Sequence, residues 1–292
     1  MVKQKSYRYK IWIYAFFIVF SLLFILPFIL LISISFSTEA DVIADGFKFF
    51  PEHFTDEAYR HVFKMGGELI NSYLVTIFYA FVPTMLGIFF MALCGYALSR
   101  TNFYYKKAVT LFFTITMFFN GGLIPNYILR TQYLGMQNNI SVYLFSWGIT
   151  AMTIFVFRTF FAQLPISLFE AAYLDGAKEM QCVWNIVVPL SKPIIATYSL
   201  LGIIQRWNDY EVSLYYITDS KLYTLSYLLQ QVLRESESLK LLQDKGLAVG
   251  DVPPYETLKF AICILAALPL IIIFPLFQKY FAKGMMIGAV KG

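Results

Sequence analysis

The stretch Ser167–Pro193, SLFEAAYLDGAKEMQCVWNIVVPLSKP, is polar and rich in small residues, yet it lies between apolar segments long enough to cross a bilayer. Ser167 followed three residues later by Glu170 fits a capping box, in which the hydroxyl takes a backbone N–H and the carboxylate reaches back. Pro165 sits uncomfortably inside a helix, so a start near Ser167 is expected. From there Glu170, Ala171, Ala172, Asp175, Gly176 and Ala177 make a short helix, about 167–178, with a nearly bare face. Small residues at Ala172 and Gly176 let another surface approach the backbone closely. The plain alternative is a capped loop helix between two spans. A polar helix stripped of bulk on an otherwise apolar chain points instead to a docking partner.

The spacing Glu170-Ala-Ala-x3-Gly176-x9-Ile186-x-x-Pro189 resembles the EAA loop of importer-type ABC permeases, with Val188 in place of the usual leucine before the proline. Asp175-Gly176-Ala177 and Pro189-Leu190-x-x-Pro193 narrow the resemblance to carbohydrate permeases of the MalG and LplC kind. The resemblance covers nearly the whole chain: Asn120–Pro125 is similar to their GGLIP element, Trp207-Asn208-Asp209-Tyr210 to the WND segment after their fifth helix, and Pro269–Gly292 to their sixth helix and basic tail. It implies an all-α integral membrane protein with six transmembrane helices and a cytoplasmic coupling helix between spans 4 and 5. It also implies a second homologous permease subunit, two ABC ATPase subunits that carry ATP and Mg, and an extracytoplasmic solute-binding protein. Lys279, Lys283 and Lys291 in the tail would reach the ATPase interface, or serve as a plain cytoplasmic anchor.

Composition agrees with a membrane protein. Of 292 residues, 59% are hydrophobic and 14% charged, against about 25% charged for a soluble domain. The three cysteines, Cys94, Cys182 and Cys263, are far apart and form neither a disulfide framework nor a metal-ligand spacing. The net charge of +5 is scattered, with no nucleic-acid recognition motif.

Outward from the loop, the spans are expected at about 11–35, 69–99, 108–129, 139–157, 189–204 and 260–277, as a single domain over 1–292. The first apolar run is too long for a signal peptide and lacks its small-residue cleavage site. The third contains Asn120, Gly121, Gly122 and Pro125, which break or bend a helix. Non-helical backbone at that depth lines a cavity or is buried in protein, so the bend lies beside the translocation path or ends the span. His53 and His61 match no metal motif and fall in an acidic loop, 37–68.

Six spans put both termini on one side. The segments 1–10, 99–107, 158–193 and 278–292 carry four, three, three and three basic residues, whereas 37–68 and 205–259 carry a surplus of acids. Lys and Arg gather in cytoplasmic loops, so both ends and the coupling helix face the cytoplasm of a bacterial cell, with the spans in its cytoplasmic membrane.

No charged residue or histidine falls within 69–99, 108–129, 131–157 or 260–278. Ion-coupled carriers and intramembrane enzymes need such groups. The chain has no Gly-Lys dipeptide and therefore no phosphate-cradling GxxxxGK[ST] loop. It reads as a pore subunit, not an enzyme, with no cofactor of its own, driven by ATP hydrolysis on a partner. The resemblance implies a sugar as substrate, an oligosaccharide. Tyr79, Asn120, Gly121, Gly122, Trp147, Tyr198, Arg206, Trp207 and Asn208 are the candidate path residues in or near spans, although aromatics pervade this chain as core and interface residues. Arg206 offsets an anionic sugar such as a uronate, or pairs with Asp209 or Glu211.

Overall fold

The computed structural model describes residues 2–146, 148–244 and 254–289, with side chains described over 10–146, 148–235 and 254–278 and at 237, 238 and 241. Among the described residues the regular structure is helical, with one isolated antiparallel bridge, Ser37 to Phe54. In chain order the helices are α1 Val2–Ser35, α2 Glu39–Asp45, α3 Glu57–Lys64, α4 Gly67–Ser99, α5 Lys106–Phe118, α6 Leu123–Ile128, α7 Ser141–Leu144, α8 Ala151–Ala162, α9 Ile166–Leu174, α10 Glu179–Cys182, α11 Val188–Leu190, α12 Lys192–Trp207, α13 Glu211–Tyr216, α14 Leu225–Asp244 and α15 Tyr255–Ala289. Short π turns extend α6 at Leu129–Tyr133 and link α10 to α11 at Val183–Val187.

Three stretches are long and apolar enough to cross a membrane: Lys10–Ser35, Gly67–Ser99 and Tyr255–Gln278. They match the expected spans at 11–35, 69–99 and 260–277, with the last helix running past both ends of its apolar run. Three further pairs qualify only as bent spans: Lys106–Phe118 with Leu123–Tyr133 (110°), Ala151–Ala162 with Ile166–Leu174 (74°), and Glu179–Leu190 with Lys192–Trp207 (78°).

One expected break and two shifted boundaries have local causes. The run 108–129 is not one helix, because Gly122 takes φ +83 and caps α6 while the Asn120 side chain accepts the Gly122 N–H at 3.0 Å. Positive φ is costly for residues with a Cβ, so the break falls at glycine. The run 139–157 is split: the short α7 covers Ser141–Leu144, and the next helix begins only at Ala151, where the Thr150 hydroxyl caps the Thr153 N–H at 3.3 Å, and continues through Arg158. The run 189–204 is shifted: α12 starts after Ser191 and carries Arg206 and Trp207 inside its last turn, so these two residues are helical and not part of a following loop.

The chain divides into two compact units, Met1–Leu69 with Leu228–Leu268, and Ile70–Tyr227 with Pro269–Gly292. In the first, Phe36 stacks on Phe54 with centroids 5.0 Å apart and packs against Tyr59 at 4.8 Å. The Glu39 carboxylate accepts the backbone N–H groups of Glu256 and Thr257, both at 2.9 Å. An acid at those orphan donors stabilises the start of α15. Exposed His53 pairs with Asp41 at 3.1 Å.

The second unit is held by close helix crossings. Its core contains Ile88, Met91, Tyr96 and Leu98 of α4, Ile154, Phe157 and Phe161 of α8, and Phe169 of α9. At the α4–α8 crossing a Cβ on Gly95 would stand 2.6 Å from Phe157 Cβ and 3.1 Å from both Arg158 N and Ile154 O. Small residues at such crossings let helix backbones approach, which is how helices in lipid gain packing energy.

Candidate functional site

Two places in the second unit hold the residues singled out in the sequence. The first is α9. Its N-terminus departs from the expected capping box: the helix begins at Ile166 with Pro165 as N-cap, no side chain caps it, and Ser167 and Glu170 are exposed. Pro165 sets the start one residue early, which shifts Ser167 into the helix and out of cap position. Glu170 is therefore a solvent-facing acid on α9 and not its cap.

The C-terminus is a Schellman cap. Gly176 has φ +79, its N–H donates to Tyr173 O at 3.0 Å, and the Ala177 N–H donates to Ala172 O at 2.9 Å. A Cβ on Gly176 would meet nothing within 4 Å. Within this chain Gly176 serves backbone conformation, while Ala172 and Ala177 pack against the core across the cap.

Phe169 anchors α9 to the core at 3% exposure, whereas Leu174 at its end is 89% exposed. Ala171 and Asp175 share the exposed side. Pro189 is the middle residue of the three-residue turn Val188–Leu190 between the π turn and Ser191, and is exposed.

The second place is a cavity of about 170 Å³ lined by Thr84, Ile88 and Met91 of α4, Gly148, Thr150 and Thr153 at the head of α8, and Tyr198, Leu201, Gly202, Gln205 and Arg206 of α12. Arg206 is 7% exposed. Its Nη1 donates to Thr84 Oγ1 and to Gly202 O, each at 3.1 Å, and Nε and Nη2 donate to Ser146 O at 3.3 and 3.2 Å. Gly148 and Gly202 make the room: a Cβ on them would lie 2.3 Å from Nη2 and 3.2 Å from Nη1.

The expected pairing of Arg206 with Asp209 or Glu211 is not formed. Asp209 instead accepts the Tyr79 hydroxyl at 2.6 Å and the Glu211 and Val212 N–H groups at 2.8 and 3.3 Å, which fixes the start of α13. Among the described residues no carboxylate lies within ion-pair distance of Arg206. A buried cation held only by neutral oxygens keeps a positive field in its cavity, and it is costly to maintain without use.

Of the candidate path residues that are described, the structure brings Tyr198 and Arg206 to this cavity. Trp207 is buried, with its carbonyl accepting the Ser226 hydroxyl at 2.6 Å, and Tyr79 is buried against Tyr143. Asn120, Gly121 and Gly122 are exposed at the α5–α6 break, and exposed Asn208 donates to Ile204 O at 2.9 Å. Trp147 and Lys291 lie outside the described residues, as do the side chains of Lys279 and Lys283. The sequence reading missed Thr84, Thr150, Thr153 and Gln205. The one available signal was the isolated Gly148 and Gly202 within apolar runs.

Comparison with known proteins bears on both places. Residues 3–287 match the model of the family described as "Binding-protein-dependent transport system inner membrane component". The chain is 32% identical over 289 residues to the polygalacturonan/rhamnogalacturonan transport system permease protein YtcP of Bacillus subtilis (strain 168), covering 99% of this chain and 100% of that one. It is 36% identical over 273 residues to Protein LplC of the same organism, covering 92% and 90%. Among solved structures it is similar, with TM-score 0.78 and 28% identity, to a chain of a bacterial ABC transporter involved in the import of the acidic polysaccharide alginate, over 95% of this chain and 98% of that chain.

Proposed function

Since the chain belongs to the family of binding-protein-dependent transport system inner membrane components, we propose that it is the permease subunit of an ABC importer for an acidic oligosaccharide. Residues 1–292 form one transmembrane domain of six spans, with both termini and α9 in the cytoplasm of a bacterial cell. A second, homologous permease completes the pore. Two ATPase subunits supply ATP hydrolysis with Mg, and an extracytoplasmic binding protein delivers the sugar.

In this reading α9 is the coupling helix, seated in a cleft of the ATPase by its exposed face. Glu170, Ala171 and Asp175 meet the partner, and Glu170, free of any capping role, pairs with a base there. ATP binding draws the two coupling helices together, and the spans rock to open the cavity toward the binding protein. Hydrolysis reverses the motion.

The observation that carries the acidic substrate is Arg206, buried in the cavity wall with no carboxylate within ion-pair distance, Asp209 acting on it only from farther off through its charge. The surrounding hydroxyls of Thr84, Thr150, Thr153 and Tyr198 and the amide of Gln205 suit a sugar's hydroxyl groups, and the guanidinium suits a uronate. At about 170 Å³ the cavity holds part of one sugar unit, as befits one half of a shared pore.

The overall reading is tested by purifying the tagged chain in mild detergent and identifying what accompanies it. A second permease and an ATPase are expected; recovery of this chain alone, under conditions that preserve a known importer, would refute it. The substrate reading is tested with Arg206→Gln in the reconstituted complex. A buried charge-assisted hydrogen bond is worth about 1.5–3 kcal/mol, so uptake of galacturonate oligomers is expected to fall about ten- to hundredfold, with neutral oligomers much less affected. Equal loss for both would make Arg206 a packing residue.

A further inference from the structure

A chain of side chains outside the Arg206 cavity joins α9 to the inner end of α4. Arg100, just beyond α4, donates from Nη2 to the Tyr173 hydroxyl at 2.7 Å. That hydroxyl donates to Glu179 Oε1 at 2.7 Å, and the Tyr96 hydroxyl, in the last turn of α4, donates to Glu179 Oε2 at 2.5 Å. The Arg100 guanidinium also lies 4.2 Å from the centroid of Phe169, the anchor of α9. The end of α4, the last turn of α9 and the first residue of α10 thus meet at one point, beside a cleft of about 400 Å³.

Burial pushes the Glu179 carboxyl up, but the hydroxyls of Tyr96 and Tyr173 and the charge of Arg100 outweigh it and hold the group below the usual carboxylate range. Glu179 is therefore an ionised acceptor of two phenol donors, and such charge-assisted bonds are the strong ones. Packing alone would need only the rings. The hydroxyls add bonds of fixed length between three chain segments otherwise joined by loop 163–165, turn 175–178 and apolar packing.

The middle of α4 supplies Thr84, Ile88 and Met91 to the cavity wall. Thr84 and Tyr96 are twelve residues apart on one unbroken helix, about 18 Å along its axis. We propose that Tyr96, Tyr173, Glu179 and Arg100 form a positioning strut that makes α4 follow the coupling helix, so that motion of the ATPase reaches the cavity wall directly. The inference rests on α9 being the coupling helix. Without the strut α9 still docks, but its displacement is absorbed by the loops on either side.

The test uses the complete complex, with its second permease, ATPase and binding protein, in proteoliposomes. Solute taken up per ATP hydrolysed is measured for wild type, Tyr96→Phe, Glu179→Gln and the double variant, with assembly checked by co-purification. Each substitution keeps the side-chain shape. The expected result is a three- to tenfold loss of uptake per ATP, on the order of a disrupted contact network, in each single variant, with the double no worse than the poorer single. An unchanged ratio, or losses that multiply in the double, overturns the strut. Should Tyr96→Phe fail to assemble, Glu179→Gln decides by the same ratio. Absence of ATP-driven uptake in wild type would instead refute the permease reading itself.

Discussion

In a Gly176→Leu variant, sugar uptake is expected to fall to background while the protein still inserts in the membrane and reaches normal abundance. Gly176 is the left-handed residue of the cap on α9, at φ +79. A residue with a Cβ is strained there by about 1–2 kcal/mol, enough to compete with the two capping hydrogen bonds from Gly176 and Ala177. If the cap opens, the chain leaves α9 in a new direction and Glu179, three residues on, no longer meets Tyr96 and Tyr173. The spans are untouched, which is why insertion survives.

A series of substitutions separates conformation from bulk. Asparagine tolerates the left-handed region better than alanine does, so Gly176→Asn is expected to keep more uptake than Gly176→Ala. If close approach to the ATPase were the reason for glycine, alanine, the smaller side chain, would win. Uptake in proteoliposomes, normalised to protein in the membrane, decides between them.

The second large effect is expected from Gly95→Leu, which should leave little or no folded protein. The added Cβ would lie 2.6 Å from Phe157 Cβ and 3.1 Å from two backbone atoms of α8. A side-chain tip could swing aside, but these atoms belong to a helix, so α8 as a whole would have to move. Phe157 and Ile154 are fully buried on that face, and closely packed interiors transmit rather than absorb such a shift. Overpacking costs about 1–3 kcal/mol for a methylene or so and more where backbone is struck. Detergent-solubilised Gly95→Leu is therefore expected to aggregate or to unfold many degrees below wild type in a thermal scan. Gly95→Ala, which carries the clash without the rest of the side chain, should fall between them. A Gly95→Leu protein with wild-type thermal stability would show that the two helices do not cross at this distance.

Much of the architecture was legible in the chain because it is written locally. Apolar runs over Gly67–Ser99 and the two terminal spans are long enough that no tertiary contact is needed to place them. Gly122 and Pro125 marked the break after α5, since a glycine that takes positive φ is a local stop. The polar stretch with Gly176 marked α9 for the same reason. Even here one reason was misread: Ser167 and Glu170 fit a cap by spacing, but Pro165 moved the start; and Gly176 also answers a backbone need of α9.

What the sequence by itself determined was the all-helical membrane class, the place of the short helix α9 and the family, because periodicity, stop residues and motif spacing act over a few neighbouring residues. Tertiary structure alone decided how Arg206 is held, which glycines are helix contacts, and how α9 is tied to α4. Arg206 meets Ser146 across 60 positions and Thr84 across 122, and Tyr96 meets Glu179 across 83. Hydrogen bonds at that separation depend on where whole helices cross, and a crossing is set by the summed packing of both surfaces, which no local pattern encodes.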